Sequence, residues 1–132
     1  MSDGFNIDIV DPEKSFFSKE NISEVVVPAF EGEMGILKDH ISIISFLKPG
    51  IIKVIFGAEE ENFYVEDGIL EFKDNSLSIL TSSIFSLKEI NKDKVKSSIN
   101  EAEKELADES MDDQKRFLLT QKIDVLKSIS FN

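Results

Sequence analysis

Several residue types are missing or rare in this 132-residue sequence, and each absence removes a class of chemistry. There is no cysteine, which excludes disulfides, thiolate nucleophiles and zinc–thiolate sites. His40 is the single histidine, and one histidine after an acidic segment is better interpreted as structural than as catalytic or metal-binding. Neither Gly-x-x-x-x-Gly-Lys nor Gly-x-Gly-x-x-Gly, the standard glycine-rich phosphate-binding motifs, occurs in the sequence. The sequence therefore predicts no catalytic residue, no metal site and no cofactor.

Positive charge is also scarce. The formal net charge is -11, and Arg116 is the only arginine. Such a chain repels a phosphate backbone, which argues against nucleic acid as a partner. Residues 1–87 hold six basic and sixteen acidic side chains, whereas residues 88–132 hold nine and ten. We therefore predict an acidic domain at 1–87 and a nearly neutral one at 88–132. The acidity either serves solubility or presents a face to a basic partner.

Long apolar runs are absent as well. No stretch approaches the ~18 apolar residues that a membrane-spanning helix needs. The first residues lack the basic and apolar regions of a secretory signal and the arginine-rich character of a mitochondrial transit peptide. We expect a soluble protein without direct membrane insertion, which reaches a membrane only through a partner.

Residues 1–87 have the pattern of short β-strands. Phe5, Ile7 and Ile9 alternate with polar residues, a period of two that is typical of half-buried strands. Residues 57–62, with three consecutive glutamates, are predicted to form a polar hairpin loop. Asp67-Gly68 is predicted to form a second hairpin turn. Many short strands separated by turn residues indicate an all-β sandwich or barrel.

The pattern changes to a helical one near residue 88. Val95, Ile99, Ala102 and Leu106 are spaced to form one stripe of a helix, with Asn91 as its candidate N-cap. A second apolar stripe follows a short polar break, where Ser110 and Asp113 are spaced like a capping box. Residues 88–132 are therefore predicted to form an antiparallel α-helical hairpin.

The segment Glu31-Gly32-Glu33-Met34-Gly35 brings two carboxylates, a methionine and two glycines together. Two glycines so close indicate a tight backbone path that other residues would not follow. Composition alone also allows an ordinary surface loop. The segment is nevertheless the best candidate for a functional surface.

An ordered set of motifs surrounds this segment. The motifs are Val25 to Pro28, Glu31-Gly32-Glu33-x-Gly35-Ile36-Leu37-x-x-His40, Leu47-Lys48-Pro49-Gly50 and Phe63-x-Val65-x-x-Gly68-Ile69-Leu70-Glu71. Together they resemble the epsilon subunits of bacterial F-type ATP synthases, called delta in mitochondria. The resemblance implies a β-sandwich of about ten strands at 1–87, followed by two antiparallel helices.

The resemblance also implies a role. Members of this family bind the gamma subunit and the ring of membrane c subunits, and they turn with that rotor without catalysing a reaction. Glu31, Glu33 and His40 would lie near the ring and gamma. The helical hairpin would reach the alpha and beta subunits, and the location would be the cytoplasmic face of the bacterial inner membrane. An alternative is a free acidic adaptor of the same fold that binds another basic partner, and a stand-alone enzyme is a third class.

This sequence departs from the family pattern in two places. Lys38-Asp39 occupies the position where many relatives have Pro-Gly before the histidine, which leaves the local path of the loop open. Some bacterial relatives bind ATP through Ile-Asp-x-x-Arg-Ala, but here the matching positions are Ile90, Asn91, Lys94 and Val95. Because lysine does not replace the bidentate fork of arginine, no ATP binding is expected. With a single arginine in the hairpin, we expect weak inhibition of ATP hydrolysis at most.

Overall fold

The computed structural model describes residues 4–129, which fold into two compact units that divide between Leu87 and Lys88. In the first unit, the regular elements of the described residues 4–87 are ten strands: β1 (Phe5–Asp11), β2 (Lys14–Ile22), β3 (Glu24–Ala29), β4 (Gly32–Leu37), β5 (Ile43–Leu47), β6 (Gly50–Phe56), β7 (Glu59–Val65), β8 (Gly68–Lys73), β9 (Ser76–Leu80) and β10 (Ile84–Ser86). The second contains α1 (Lys92–Leu106) and α2 (Asp113–Ser128). The predicted sandwich of about ten strands followed by two helices is confirmed.

The strands form one continuous sheet in the order β10-β7-β6-β3-β5-β8-β9-β1-β2, with β4 paired to β3. The pairs within it are antiparallel except β1 with β9, which run parallel. β3 joins the two halves of the sheet. It pairs with β6 at Glu24 to Val26, and its register with β5 is a single pair, Ala29 with Leu47. β3 therefore links the two layers of the sheet, and the core lies between these layers.

The core follows from strand alternation, since every second side chain points inward. Phe5, Ile7 and Ile9 are buried, as their spacing predicted. Phe72 contacts Phe5 edge-on, with the ring centroids 5.5 Å apart. The remaining core residues are Ile22, Val25, Val27, Ile36, Leu47, Ile52, Val54, Phe63, Val65, Leu70, Leu77 and Ile79. Burial of these apolar groups is the main force that stabilises this unit.

Two predictions about turns and loops were wrong. The three glutamates at 59–61 lie within β7, because a two-residue turn with Gly57 at φ +60° closes the β6–β7 hairpin before them. Asp67-Gly68 is not a hairpin turn, since β7 and β8 pair with other strands and the chain crosses between them. Of the alternatives left open for Gly32 to Gly35, the ordinary surface loop does not hold, because this segment belongs to β4 and its backbone pairs with β3.

The second unit is a helical hairpin, and its buried residues are Val95, Ala102, Ile123 and Leu126. Six residues join the helices, and α1 and α2 contact each other, which fits the predicted antiparallel hairpin. Asn91 is the N-cap of α1, as predicted. The N-cap of α2 is Asp112, not Ser110. The Asp112 carboxylate accepts from the Lys115 amide at 2.7 Å, whereas the Ser110 hydroxyl donates to Asp108.

Candidate partner-binding surface

The β3–β4 hairpin positions the two predicted glutamates. Its turn lies at Phe30-Glu31, and Gly32 adopts φ +139°, a conformation that side-chain-bearing residues rarely adopt. Glu33 stands opposite Pro28 in the register of the hairpin, and its side chain is exposed. Successive residues of a strand face opposite sides of the sheet. The neighbours of Glu33 along β4 therefore face inward, and Glu33 presents its carboxylate to solvent.

Glu31 is tied to the sheet by a buried hydroxyl. Ser45 on β5 is only 5% exposed, and its Oγ donates to Glu31 Oε2 at 3.2 Å. The two glutamates border an open cleft of about 290 Å³, which we call the acidic cleft; its other side chains are those of Ala29, Met34, Ile43, Ile44 and Ser45. The acidic cleft offers carboxylates at its rim and apolar groups along its walls. Such a cleft suits a basic side chain with an aliphatic stem.

His40 lies in the turn that joins β4 to β5. Its backbone amide donates to the Leu37 carbonyl at 3.1 Å, and its half-buried ring contacts Phe72 edge-on with centroids 5.8 Å apart. Nδ1 lies 2.7 Å from the Ile41 carbonyl, and because a carbonyl only accepts, Nδ1 carries the proton. This places His40 against the end of the core, while the next residue, Ile41, is 77% exposed.

Asp39 is the residue that gives this turn its path. It adopts φ +66°, the left-handed conformation that glycine would supply, and aspartate is one of the few residue types that tolerates it. Its backbone amide donates to Asn75 Oδ1 at 2.7 Å, and Asn75 Nδ2 donates back to Asp39 Oδ1 at 2.9 Å. The turn is thereby fixed to the β8–β9 hairpin.

A second surface was not predicted from the sequence. Val10, Phe46, Ile69 and Leu80 lie side by side across four neighbouring strands, because the register pairs Phe46 with Ile69, Ile69 with Leu80 and Leu80 with Val10. We call this set the apolar row. Phe46 is 59% exposed, Leu80 49% and Ile69 43%. Phe30, also exposed, shares with Phe46, Ile69 and Leu80 an open depression of about 440 Å³.

The signal for the apolar row was present in the strands themselves. In β5, Phe46 and Leu47 are adjacent apolar residues, and so are Ile69 and Leu70 in β8. Strands of an antiparallel sheet with one wet face normally alternate apolar and polar residues. Adjacent apolar residues in both strands therefore pointed to an outer face that is not fully hydrated.

The positions that match the ATP-binding motif of some relatives lie at the start of α1. Asn91 Oδ1 accepts from the amides of Asp93 and Lys94 at 2.8 and 3.2 Å, so its side chain is used as the helix cap. Lys94 is exposed and Ile90 is half-buried. These contacts are those of an ordinary helix N-terminus.

The Arg116 guanidinium donates hydrogen bonds to backbone carbonyls within the helical hairpin. Its Nη1 donates to the Leu106 carbonyl at 3.0 Å and its Nη2 to the Asp108 carbonyl at 2.8 Å. The Leu106 carbonyl lies at the C-terminal end of α1, where the last carbonyls have no partner within the helix. The Asp108 carbonyl, in the turn that follows, also accepts from the Met111 amide at 3.3 Å. The single arginine therefore satisfies the end of one helix from the first turn of the next.

Among residues 4–129, no three or more His, Asp or Glu side chains are grouped in a way that could hold a metal ion. Within the same residues, neither helix combines the length and the apolar character needed to cross a membrane. The two surfaces that stand out are the acidic cleft with its neighbour His40 and the apolar row.

Comparison with known proteins identifies the family. Residues 4–86 match the family model described as the ATP synthase delta/epsilon chain, beta-sandwich domain. The chain is 62% identical to the ATP synthase epsilon chain of Pelagibacter ubique (strain HTCC1062), over 98% of this chain and all of that one. It is 36% identical to the ATP synthase epsilon chain of Rhizobium etli (strain CIAT 652), over 82% of this chain and 80% of that one.

Solved structures show the same fold. A chain in the mitochondrial ATP synthase OSCP/F1/c-ring structure of Euglena gracilis aligns with a TM-score of 0.74 at 21% identity, covering 94% of this chain and 78% of that chain. A chain in the central stalk/c-ring structure of Tetrahymena thermophila mitochondrial ATP synthase aligns with a TM-score of 0.65 at 15% identity, covering 96% of each. The resemblance seen in the motifs is confirmed, and the chain belongs to the ATP synthase delta/epsilon chain family, whose members are non-catalytic subunits of that enzyme.

Proposed function

We propose that this chain is a rotor subunit of ATP synthase that docks on the gamma subunit through the apolar row and on the c-subunit ring through Glu31, Glu33 and His40. In this role the chain transmits torque between the ring and the catalytic head, and it needs stiffness and complementary surfaces rather than reactive groups. The observation that carries the proposal is the apolar row on a unit that is otherwise strongly acidic.

The apolar row has the chemistry of a protein-docking surface. A water-exposed sheet face would be expected to carry polar residues at these four positions. Contiguous exposed apolar residues with a polar rim are typical of protein interfaces, and aromatic residues such as Phe46 and Phe30 often supply much of the binding energy. Gamma is the partner whose contact with a rotor subunit must be tight and lasting, so we assign the apolar row to it.

The acidic cleft suits the polar loops of the c ring. Glu33 is exposed, Glu31 is held in place by Ser45, and the exposed isoleucines Ile41 and Ile44 lie on the loop and strand that follow. Each exposed ion pair contributes only ~0.2–1 kcal/mol, so such contacts would set register more than affinity. A basic or amide side chain from each c-subunit loop could meet Glu33 in this way.

For the helical hairpin we propose only a weak regulatory contact with the alpha and beta subunits. Inhibition of the catalytic head by a helix would be helped by free basic groups facing acidic partners. Arg116 is occupied with the carbonyls of Leu106 and Asp108, and residues 88–132 carry no positive net charge. We also propose that the hairpin does not bind ATP, because Asn91 is used as a cap and Lys94 replaces arginine. Shifts in the amide spectrum on adding millimolar ATP would contradict this.

We place the chain at the cytoplasmic face of the bacterial inner membrane, held there by its partners. The test of the proposed function is co-purification. An affinity-tagged copy expressed in its native host should bring down gamma together with the c ring after mild detergent extraction. Recovery of the tagged chain without gamma would contradict the proposal and would favour a free acidic adaptor of the same fold.

A further inference from the structure

The side chain of Asn75 contacts the turn that carries His40, although the two lie 35 positions apart in the sequence. Asp39 N donates to Asn75 Oδ1 at 2.7 Å, and Asn75 Nδ2 donates to Asp39 Oδ1 at 2.9 Å. Asn75 is itself anchored, since its carbonyl accepts from the Asn6 amide at 3.1 Å at the start of β1. Asn75 thus connects three segments of the first unit.

Both partners of this bond hold unfavourable backbone conformations. Asp39 has φ +66° and Asn75 has φ +58°, and Asp74 beside it has φ +50°. Residues with a Cβ adopt such angles at a cost in free energy, although aspartate and asparagine tolerate them better than most. The reciprocal hydrogen bonds help to offset that cost, because each side chain satisfies a polar group of the opposing turn.

The fixed turn carries groups of the proposed docking surface. His40 follows Asp39 directly, and its ring is held edge-on against Phe72. Ile41 comes next and is 77% exposed. The chain then enters β5, which supplies Ile44 and Ser45 to the acidic cleft. The conformation at Asp39 therefore decides where His40 and Ile41 are presented.

We infer that Asn75 is a positioning residue for the partner-binding surface: through Asp39 it holds the 38–41 turn in the conformation that docks on the c ring. This inference rests on the proposed function. A glycine at position 39 would reach the left-handed conformation without support, whereas Asp39 obtains that support from Asn75. Asn75 itself need not touch the partner.

The decisive variant is Asn75→Gly. Glycine accepts φ +58° without strain, so the turn backbone is kept while both side-chain hydrogen bonds are lost. The matched control is Asp74→Gly, which removes a side chain from the neighbouring left-handed position and leaves the Asp39–Asn75 pair intact. Thermal unfolding of the full chain verifies that both variants fold.

The first readout is the proton NMR signal of the His40 ring, which senses the ring current of Phe72. Asn75→Gly should move these signals toward their random-coil positions and accelerate exchange of the Asp39 amide by about tenfold or more, and Asp74→Gly should do neither. Unchanged His40 signals in Asn75→Gly would overturn the inference, because the turn would then hold its place without Asn75.

A charge-swap series tests the same bond by another route. Asn75→Asp places two carboxylates against each other and should also displace His40. Adding Asp39→Asn in that background restores one amide and one carboxylate, and it should return the His40 signals. Failure of the double variant to restore them would count against the reciprocal bond as the cause.

The second readout is the affinity of each variant for a gamma–c-ring complex prepared without this chain. Asn75→Gly should weaken binding by about three- to tenfold, and Asp74→Gly should bind like the wild type. If His40 moves and Glu33→Lys weakens binding while Asn75→Gly binds normally, the inference fails but the proposed function stands. If Glu33→Lys also binds normally, the proposed docking on the ring fails, and the inference fails with it.

Discussion

Phe46 on β5 stands directly opposite Ile69 on β8, and both side chains project from the outer face of the sheet into solvent. The next residues along the two strands, Leu47 and Leu70, are fully buried. One pair of strands therefore carries apolar side chains on both faces. Of these four side chains, only the inner pair is buried in the core of the unit.

This relationship predicts a contrast in stability between neighbouring residues. Leu70→Ala should lower the free energy of unfolding of the full chain by about 2–5 kcal/mol, since it leaves a cavity in the core. Ile69→Ala should change it by less than about 1 kcal/mol, because that side chain is already partly hydrated. Denaturant unfolding of both variants measures the difference. An equal loss in the two would show that Ile69 is a core residue and not part of a docking face.

Charge reversal at Glu33 tests the contact with the ring. Glu33→Lys replaces an attraction of ~0.2–1 kcal/mol with a repulsion of similar size, so the contact should weaken roughly two- to thirtyfold. We expect ATP-driven proton pumping in membrane vesicles to fall while the rate of ATP hydrolysis is kept. Glu59→Lys, at an exposed carboxylate on β7, is the matched control. Pumping equal to wild type in Glu33→Lys would rule out the proposed role.

Removal of the helical hairpin tests its proposed weak regulation. Residues 88–132 form a separate compact unit, so their deletion removes no core residue of the sandwich. The rate of ATP hydrolysis of the assembled enzyme should change by less than about twofold. Arg116→Gln provides a control for assembly, because it removes the guanidinium hydrogen bonds to the Leu106 and Asp108 carbonyls and changes no residue of the sandwich. A several-fold rise in hydrolysis after the deletion would contradict the proposal.

The turn between the helices should respond to acid. Hydrogen bonds from Ser110, first from its hydroxyl at 2.6 Å and then from its amide at 3.0 Å, lower the pKa of Asp108, with a smaller contribution from Arg116. Because the folded pKa lies below the unfolded one, the stabilisation is present above the unfolded pKa. It is lost as pH falls through the folded value. An NMR titration should show a higher Asp108 pKa in Ser110→Ala, and an unchanged pKa would contradict this account.

The strand pattern and the family motifs together predicted the fold, because alternation in Phe5, Ile7 and Ile9 and the helical spacing from Val95 to Leu106 are local properties of the sequence. The pairing of the strands was harder to predict from the sequence. Asp67-Gly68 has the composition of a hairpin turn, but only tertiary contacts decide that β7 and β8 join different neighbours. The glutamates at 59–61 were predicted to form a loop because they are charged. Their charge does not indicate that the chain already turns at Gly57.

The candidate site was predictable in part. Glu31, Glu33 and His40 could be named from their motif, and the structure brings Glu31 and Glu33 to one cleft while His40 lies in the next turn. The bond between Asp39 and Asn75 could not be foreseen, because it joins positions that only the fold brings together. Adjacent apolar residues in β5 and β8 signalled an apolar outer face, but their alignment with Val10 and Leu80 in the apolar row depends on the register of four strands.

The most direct test of the account is the affinity of the full chain for the isolated gamma subunit. Phe46→Ser should weaken that affinity by about tenfold or more, as expected when an aromatic anchor is lost from an interface. Phe117→Ser removes an equally exposed phenylalanine from α2, outside the apolar row, and should leave the affinity unchanged. Equal affinities for the wild type and Phe46→Ser would contradict the assignment of the apolar row to gamma.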